Sequence, residues 1–124
     1  MKILVTGGAG YVGSNLIKHL KKHTNATITS VDNYFTGQED NHIKGVNYIS
    51  SSTWKIDKLD KQDVVYHFGE YSRVVPSFKD VEYLMTTNLW GTSRVIEQCK
   101  KWKAKLIYSA SSSKFGGNEN LSPY

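Results

Sequence analysis

The feature that most constrains this chain is Thr6-Gly7-Gly8-Ala9-Gly10-Tyr11-Val12-Gly13, a glycine-rich turn with no spacer on either side. Before it, Lys2 to Thr6 (KILVT) is a short continuous apolar run, as in a parallel strand buried on both faces. After it, Tyr11 to His23 switches to helical spacing, with Val12, Leu16, Ile17 and Leu20 on one stripe. A strand that runs into glycines opening a helix has few ways to fold. A right-handed crossover to a neighbouring parallel strand is the simplest.

The rest of the chain continues the alternation. Thr27 to Val31 (TITSV) is a second strand, rich in β-branched residues, followed by a polar loop from Asp32 to Gly45. Val46 to Ile49 is a third strand, Trp54 to Leu59 a short helix, and Asp63 to Phe68 (DVVYHF) a fourth strand. Beyond Pro76 a long helix is expected, because Val81, Leu84, Met85, Asn88, Leu89, Thr92, Val95, Ile96 and Cys99 recur at helical spacing. Ser77 or Asp80 would cap its start. Gly91 in its middle costs about 1 kcal/mol against Ala, which implies a closely packed neighbour. Lys105 to Ser109 (KLIYS) is a fifth strand, followed by a Ser- and Gly-rich turn. The expected fold is α/β, a doubly wound parallel sheet of order 3-2-1-4-5 with ligands at the carboxyl ends of its strands. No repeat or linker divides residues 1–124, so one domain is expected.

Composition excludes several function classes. The net charge of +5 comes largely from Lys18, Lys21 and Lys22 and from the lysines between 100 and 105. Both clusters fall at C-terminal ends of expected helices, where the macrodipole favours cations. Neither is interleaved with aromatics like a strand-binding face, so no nucleic-acid partner is expected. A single cysteine, Cys99, excludes an internal disulfide, and it shows no metal-ligand spacing with the four histidines. No metal is expected. No run approaches the roughly 18 apolar residues of a membrane span, and the N-terminal run is too short for a signal peptide. A cytoplasmic protein without membrane attachment is expected.

The glycine turn has a specific chemistry. Its first glycines permit the tight turn and let the backbone approach a pyrophosphate, while Gly13 lets helix and strand pack closely. The helix N-terminus then offers N–H groups and positive potential to the anion. Asp32 ends the second strand, 19 residues beyond Gly13. Its carboxylate can accept hydrogen bonds from both ribose hydroxyls and would repel a 2′-phosphate, which favours NAD over NADP. His67 is expected to pack against the sheet rather than react. Arg73 suits either a phosphate or sugar contact or a surface ion pair.

Together TGGAGYVG, VDN at 31–33, VVYHFG at 64–69, NLWGT at 88–92, LIYSASSSKFG at 106–116 and SPY at 122–124 identify a resemblance. The chain resembles the extended short-chain dehydrogenase/reductases, and within them the NAD-dependent epimerase/dehydratase group with its UDP-glucose 4-epimerase-like members. The resemblance implies a Rossmann-type fold, an NAD cofactor and a nucleotide-sugar substrate. It assigns Gly7, Gly10, Tyr11, Val12, Gly13, Asp32, Asn33, Thr36 and Gly37 to the cofactor. Phe68 and Gly69 would line the nicotinamide-side ribose and phosphate, and Asn88 would support the strand ends beside them. Ser111, ahead of Ser112 and Ser113, would polarise the reacting sugar oxygen, and Tyr124 would be the general base.

The sequence departs from the family in three places. Ser51 and Ser52 stand where relatives carry the Asp-Ile or Asp-Val that holds adenine. The loop from Gly116 to Tyr124 is short. The sequence also ends at Tyr124, before the family's partner Lys, its remaining strands and its sugar-nucleotide domain. The expectation is therefore a truncated domain, inactive alone, whose unpaired fifth strand favours self-association into a homo-oligomer. Two alternatives stand beside it: a non-catalytic NAD-binding or regulatory module, and a one-way NAD-dependent sugar dehydrogenase or reductase.

Overall fold

In the computed structural model, residues 1–111 are described. Five strands, β1 (Lys2–Thr6), β2 (Thr27–Asp32), β3 (Asn47–Ser50), β4 (Val64–His67) and β5 (Lys105–Tyr108), form one sheet. Its order is β3-β2-β1-β4-β5, as the alternating pattern requires, and every pairing is parallel. Helix α1 (Tyr11–His23) has the bounds its periodicity predicts.

The pleat of β1 sends successive side chains to opposite faces, and both faces are covered. Ile3 and Val5 join Ile17 and Leu20 of α1, with Ala26 and Ile28, in one buried cluster. Leu4 points the other way and joins Val31, Ile56, Val65, Val95, Cys99 and Trp102. Register places Thr6 level with Val31 on one side and His67 on the other. The carboxyl ends of three strands thus open together, and the site lies there.

One expected helix fails and another changes form. Trp54 to Leu59 forms no helix but two successive turns, closed by Lys55 N–H to the Ser52 carbonyl and Leu59 N–H to the Ile56 carbonyl. Burying Ile56 in the core is worth more than the lost turn of hydrogen bonds. The long helix after Pro76 does form, running without interruption from Val81 to Trp102, but it is not a straight α-helix. Short helices α2 (Val74–Ser77) and α3 (Val81–Leu84) precede a π-helical stretch, Met85–Gly91, that leads into α4 (Thr92–Trp102). The wider π turn rotates the buried face. Val81, Met85, Leu89 and Ile96, expected inside, are 44–65% exposed, while Thr87, Gly91, Val95, Gln98, Cys99 and Trp102 are buried.

Asp80 takes the N-cap position of α3, its carbonyl accepting the Leu84 N–H at 2.9 Å, but its side chain does not cap the helix. Ser77 ends α2, and the Asp80 carboxylate accepts a hydrogen bond from the Tyr71 hydroxyl at 3.0 Å. The neighbour implied by Gly91 is Trp54. A Cβ at Gly91 would lie 2.7 Å from its indole ring.

Candidate functional site

The turn between β1 and α1 is built from its own backbone. Gly7 has φ +73°, and its N–H donates to the Val31 carbonyl at 2.8 Å. The Gly10 N–H donates back to the Gly7 carbonyl at 3.2 Å. Gly10 is also the N-cap of α1, and it has no side chain to satisfy the first N–H groups of the helix. Those groups face a cleft of about 360 Å3, lined here by Gly7, Gly10, Tyr11, Val12 and Gly13. A Cβ at Gly10 would meet only the Gly7 carbonyl, at 3.3 Å, and would otherwise stand in open space. The turn is a cradle left open on its cleft side.

Asp32 closes the β2 side of the cleft. It is 5% exposed, and its two carboxylate oxygens accept N–H groups of Ala9 and Tyr34, each at 2.9 Å. Each oxygen keeps acceptor capacity for one further donor. Asn33, Thr36 and Gly37 line the same wall, and Gly37 lies so near that a Cβ would be 3.0 Å from the carboxylate. Asn33 is engaged within the protein, its side-chain NH2 donating to the Tyr83 hydroxyl at 2.5 Å. Ser51 and Ser52 stay off the cleft, where Thr53 stands instead, its hydroxyl donating to the Gly69 carbonyl at 2.9 Å.

The β4 side begins with Phe68 and Gly69, whose N–H groups both donate to Thr6 Oγ1, at 3.2 and 3.1 Å. Glu70, Tyr71, Ser72 and Arg73 continue the wall. Asn88 does not line the cleft. Its carboxamide accepts the Tyr71 N–H at 2.7 Å and donates to the Tyr71 carbonyl at 2.8 Å, clamping this loop. Thr87 does line it, 3% exposed, and its hydroxyl has no hydrogen-bond partner among the described residues. A buried unpaired hydroxyl costs roughly 1–3 kcal/mol, which a ligand's polar group would recover.

His67 sits beneath this wall, wholly buried, its ring nitrogens 2.7 Å from Thr6 Oγ1 and 2.9 Å from Thr92 Oγ1. Burial lowers its pKa from 6.5 to about 4, so the ring is neutral at physiological pH. Of the two residues expected to catalyse, Ser111 is exposed, three residues beyond β5, and does not line the cleft. Tyr124 lies outside the described residues, as do Ser112 and Ser113. Sequence reasoning passed over Thr53, Glu70, Tyr83 and Thr87. Of these only Glu70 carried a local signal, as a charged residue directly after an apolar strand and a glycine.

Residues 3–123 match the model of the NAD dependent epimerase/dehydratase family. The chain belongs to that family. Its relatives include the ADP-L-glycero-D-manno-heptose-6-epimerase of Brachyspira hyodysenteriae, 32% identical over 95% of this chain and 39% of that protein. Among solved structures it is similar to UDP-glucose 4-epimerase from Thermotoga maritima, determined with UDP-glucose. That match has a TM-score of 0.88 at 26% identity and covers 100% of this chain and 42% of that one. The UDP-glucose 4-epimerase of Thermus thermophilus, determined in complex with NAD, matches with a TM-score of 0.82 at 26% identity over 90% and 38%. The chain thus spans about two fifths of the length of these relatives. Among the described residues no helix is long and apolar enough to cross a membrane, and no three potential metal ligands cluster.

Proposed function

We propose that residues 1–124 form the NAD-binding part of a nucleotide-sugar epimerase or dehydratase. The observation that carries this reading is the open glycine cradle at the α1 N-terminus, flanked by the buried carboxylate of Asp32. The α1 N-terminus suits a pyrophosphate, because its unpaired N–H groups and positive potential converge there. Asp32 suits the adjoining ribose hydroxyls and opposes a 2′-phosphate. Thr87 offers its unpaired hydroxyl further along the same cleft. Bound there, NAD would supply a reversible acceptor for hydride from a sugar carbon. The family resemblance gives Tyr124 the task of taking the sugar hydroxyl proton, with Ser111 hydrogen-bonded to the same oxygen. A free phenol has a pKa of about 10, so Tyr124 needs a nearby cation to act at neutral pH.

Calorimetry with both dinucleotides tests the binding half. Tighter binding of NAD than NADP is expected, with Asp32→Ala weakening NAD about tenfold or more, the cost of a hydrogen bond to a charged group. Equal affinities would sink this reading. The catalytic half needs the sugar held as well as the cofactor, because binding energy from the nucleotide handle positions the reacting carbon. The 124-residue chain alone is therefore expected to show no turnover of UDP-sugars. Joined to a relative's C-terminal half, it should turn over, and Tyr124→Phe should abolish that activity. Turnover by the short chain would overturn the division of labour proposed here.

A further inference from the structure

Four side chains beside the cleft form a chain of hydrogen bonds whose direction can be deduced. Thr6 Oγ1 accepts two backbone N–H groups, from Phe68 and Gly69, and lies 2.7 Å from His67 Nδ1. The Glu70 carboxylate can only accept, so Thr92 donates to it, Thr92 Oγ1 accepts from Nε2, and Thr6 must donate to Nδ1. Nδ1 is then an acceptor, and the neutral ring carries its proton on Nε2. Nε2–H donates to Thr92 Oγ1 at 2.9 Å, and the Thr92 hydroxyl donates in turn to Glu70 Oε1 at 2.7 Å. The relay runs one way, Thr6 to His67 to Thr92 to Glu70. Every member except the last is buried.

The last member reaches the ligand. Glu70 lines the cleft just beyond β4, with one oxygen fixed by Thr92 and its side chain still 18% exposed. Sheet order decides which part of a dinucleotide it meets. On the reading above, the pyrophosphate lies over β1 at the glycine turn and the adenosine ribose over β2 at Asp32. The β2-β1-β4 order leaves β4 for the nicotinamide half. Among the described residues of the cleft wall, Asp32 and Glu70 are the acidic ones, and Glu70 stands on that opposite side.

We infer that Glu70 is a specificity-determining residue for the redox state of the bound cofactor, held in place by the Thr6–His67–Thr92 relay. The oxidised nicotinamide ring is a cation and the reduced ring is neutral. A fixed carboxylate on this wall stabilises the first and leaves the second nearly unaffected. In a reaction that must return its dinucleotide to the oxidised form every cycle, such a preference favours the return. Thr92 and His67 are positioning residues in this account, acting only through the carboxylate.

This inference rests on the NAD reading, and the test separates the two. Dissociation constants for oxidised NAD and for NADH are measured on the full chain, at mildly alkaline pH to keep the carboxyl ionised. Glu70→Gln keeps the shape and the acceptor for Thr92 but removes the charge. It should lower the NADH-to-NAD ratio of dissociation constants at least tenfold, the value for a unit charge about 12 Å from the ring at an effective dielectric of about 20, with a nearer charge giving more. Most of the change should be weaker binding of the oxidised form. Glu70→Ala should move the ratio the same way and carries the test if the glutamine variant does not fold. Thr92→Val should lower the ratio less, and Thr92→Ser, which keeps the hydroxyl, should restore it. A merely structural role for these residues would weaken both forms together and leave the ratio where it was. An unchanged ratio in both Glu70 variants, with both forms still bound, overturns the inference alone. Failure of the unaltered chain to bind either form overturns the NAD reading and this inference with it.

Discussion

Replacing Gly13 with valine is expected to cost the chain about 3 kcal/mol of stability, the upper part of the range for overpacking a close contact. A Cβ at this position would collide with the Gly7 carbonyl oxygen and lie 2.7 Å from Gly8 Cα and 3.0 Å from the Gly7 carbonyl carbon. All three atoms are backbone, so no side chain can swing away, and relief requires moving α1 from β1. That movement would also carry the N-terminal N–H groups of α1 away from the cleft, so NAD affinity should fall with stability. Gly10→Ala separates the two effects, because a Cβ there meets one carbonyl at 3.3 Å and otherwise fills the cradle. The alanine chain should unfold at nearly the unaltered denaturant midpoint but bind NAD weakly. Urea titration and calorimetry on both variants supply the check. If Gly13→Val kept both its stability and its NAD affinity, the packing account of this turn would be wrong.

A second large effect is expected with pH. The folded chain should lose stability as pH falls from about 6.5 to about 4, the interval between the ordinary pKa of His67 and its lowered value. Above that interval both the folded and unfolded states hold a neutral imidazole, and stability is at its full value. Within it the unfolded chain takes up a proton that the buried ring refuses, so each pH unit costs about 1.4 kcal/mol and the whole gap about 3 kcal/mol. Glu70 acts in the opposite sense. Burial raises its pKa while the Thr92 hydroxyl opposes that rise, so its contribution grows as pH falls and offsets part of the loss. Substituting His67→Gln removes the imidazole's titration. The variant should be less stable at neutral pH, because it breaks the Thr6–Thr92 connection, but its stability should vary much less across the acid interval. Denaturant unfolding of both chains at several pH values measures the difference. Identical acid profiles would show that His67 is not the group responsible.

What the sequence determined by itself is local. The bounds of β1 and α1, the glycine turn and the position of Asp32 at the end of β2 were legible because a few consecutive residues encode each one. A buried apolar run, a helical stripe and a turn that only glycine tolerates need no knowledge of distant neighbours. Sheet order followed from the strand–helix alternation and the handedness of crossovers. The inward face of the Met85–Trp102 region was not legible, because the apolar spacing of Val81, Met85, Leu89 and Ile96 suits a straight α-helix. A π stretch and the approach of Trp54 to Gly91 turned part of that stripe outward and brought Thr87 and Gln98 in, while Thr92, Val95 and Cys99 stayed inside as expected. Trp54 to Leu59 gave up its helix for the same kind of reason, since Ile56 found a place in the core. The cleft's β4 wall also depended on tertiary structure. His67 meets Thr6 across 61 residues of sequence and Thr92 across 25, and Asn88 reaches back 17 to clamp Tyr71. A polar side chain does not announce in its own neighbourhood which distant donor will satisfy it. Burial settles that choice, because an unpaired polar group inside the protein costs more than the chain can spare.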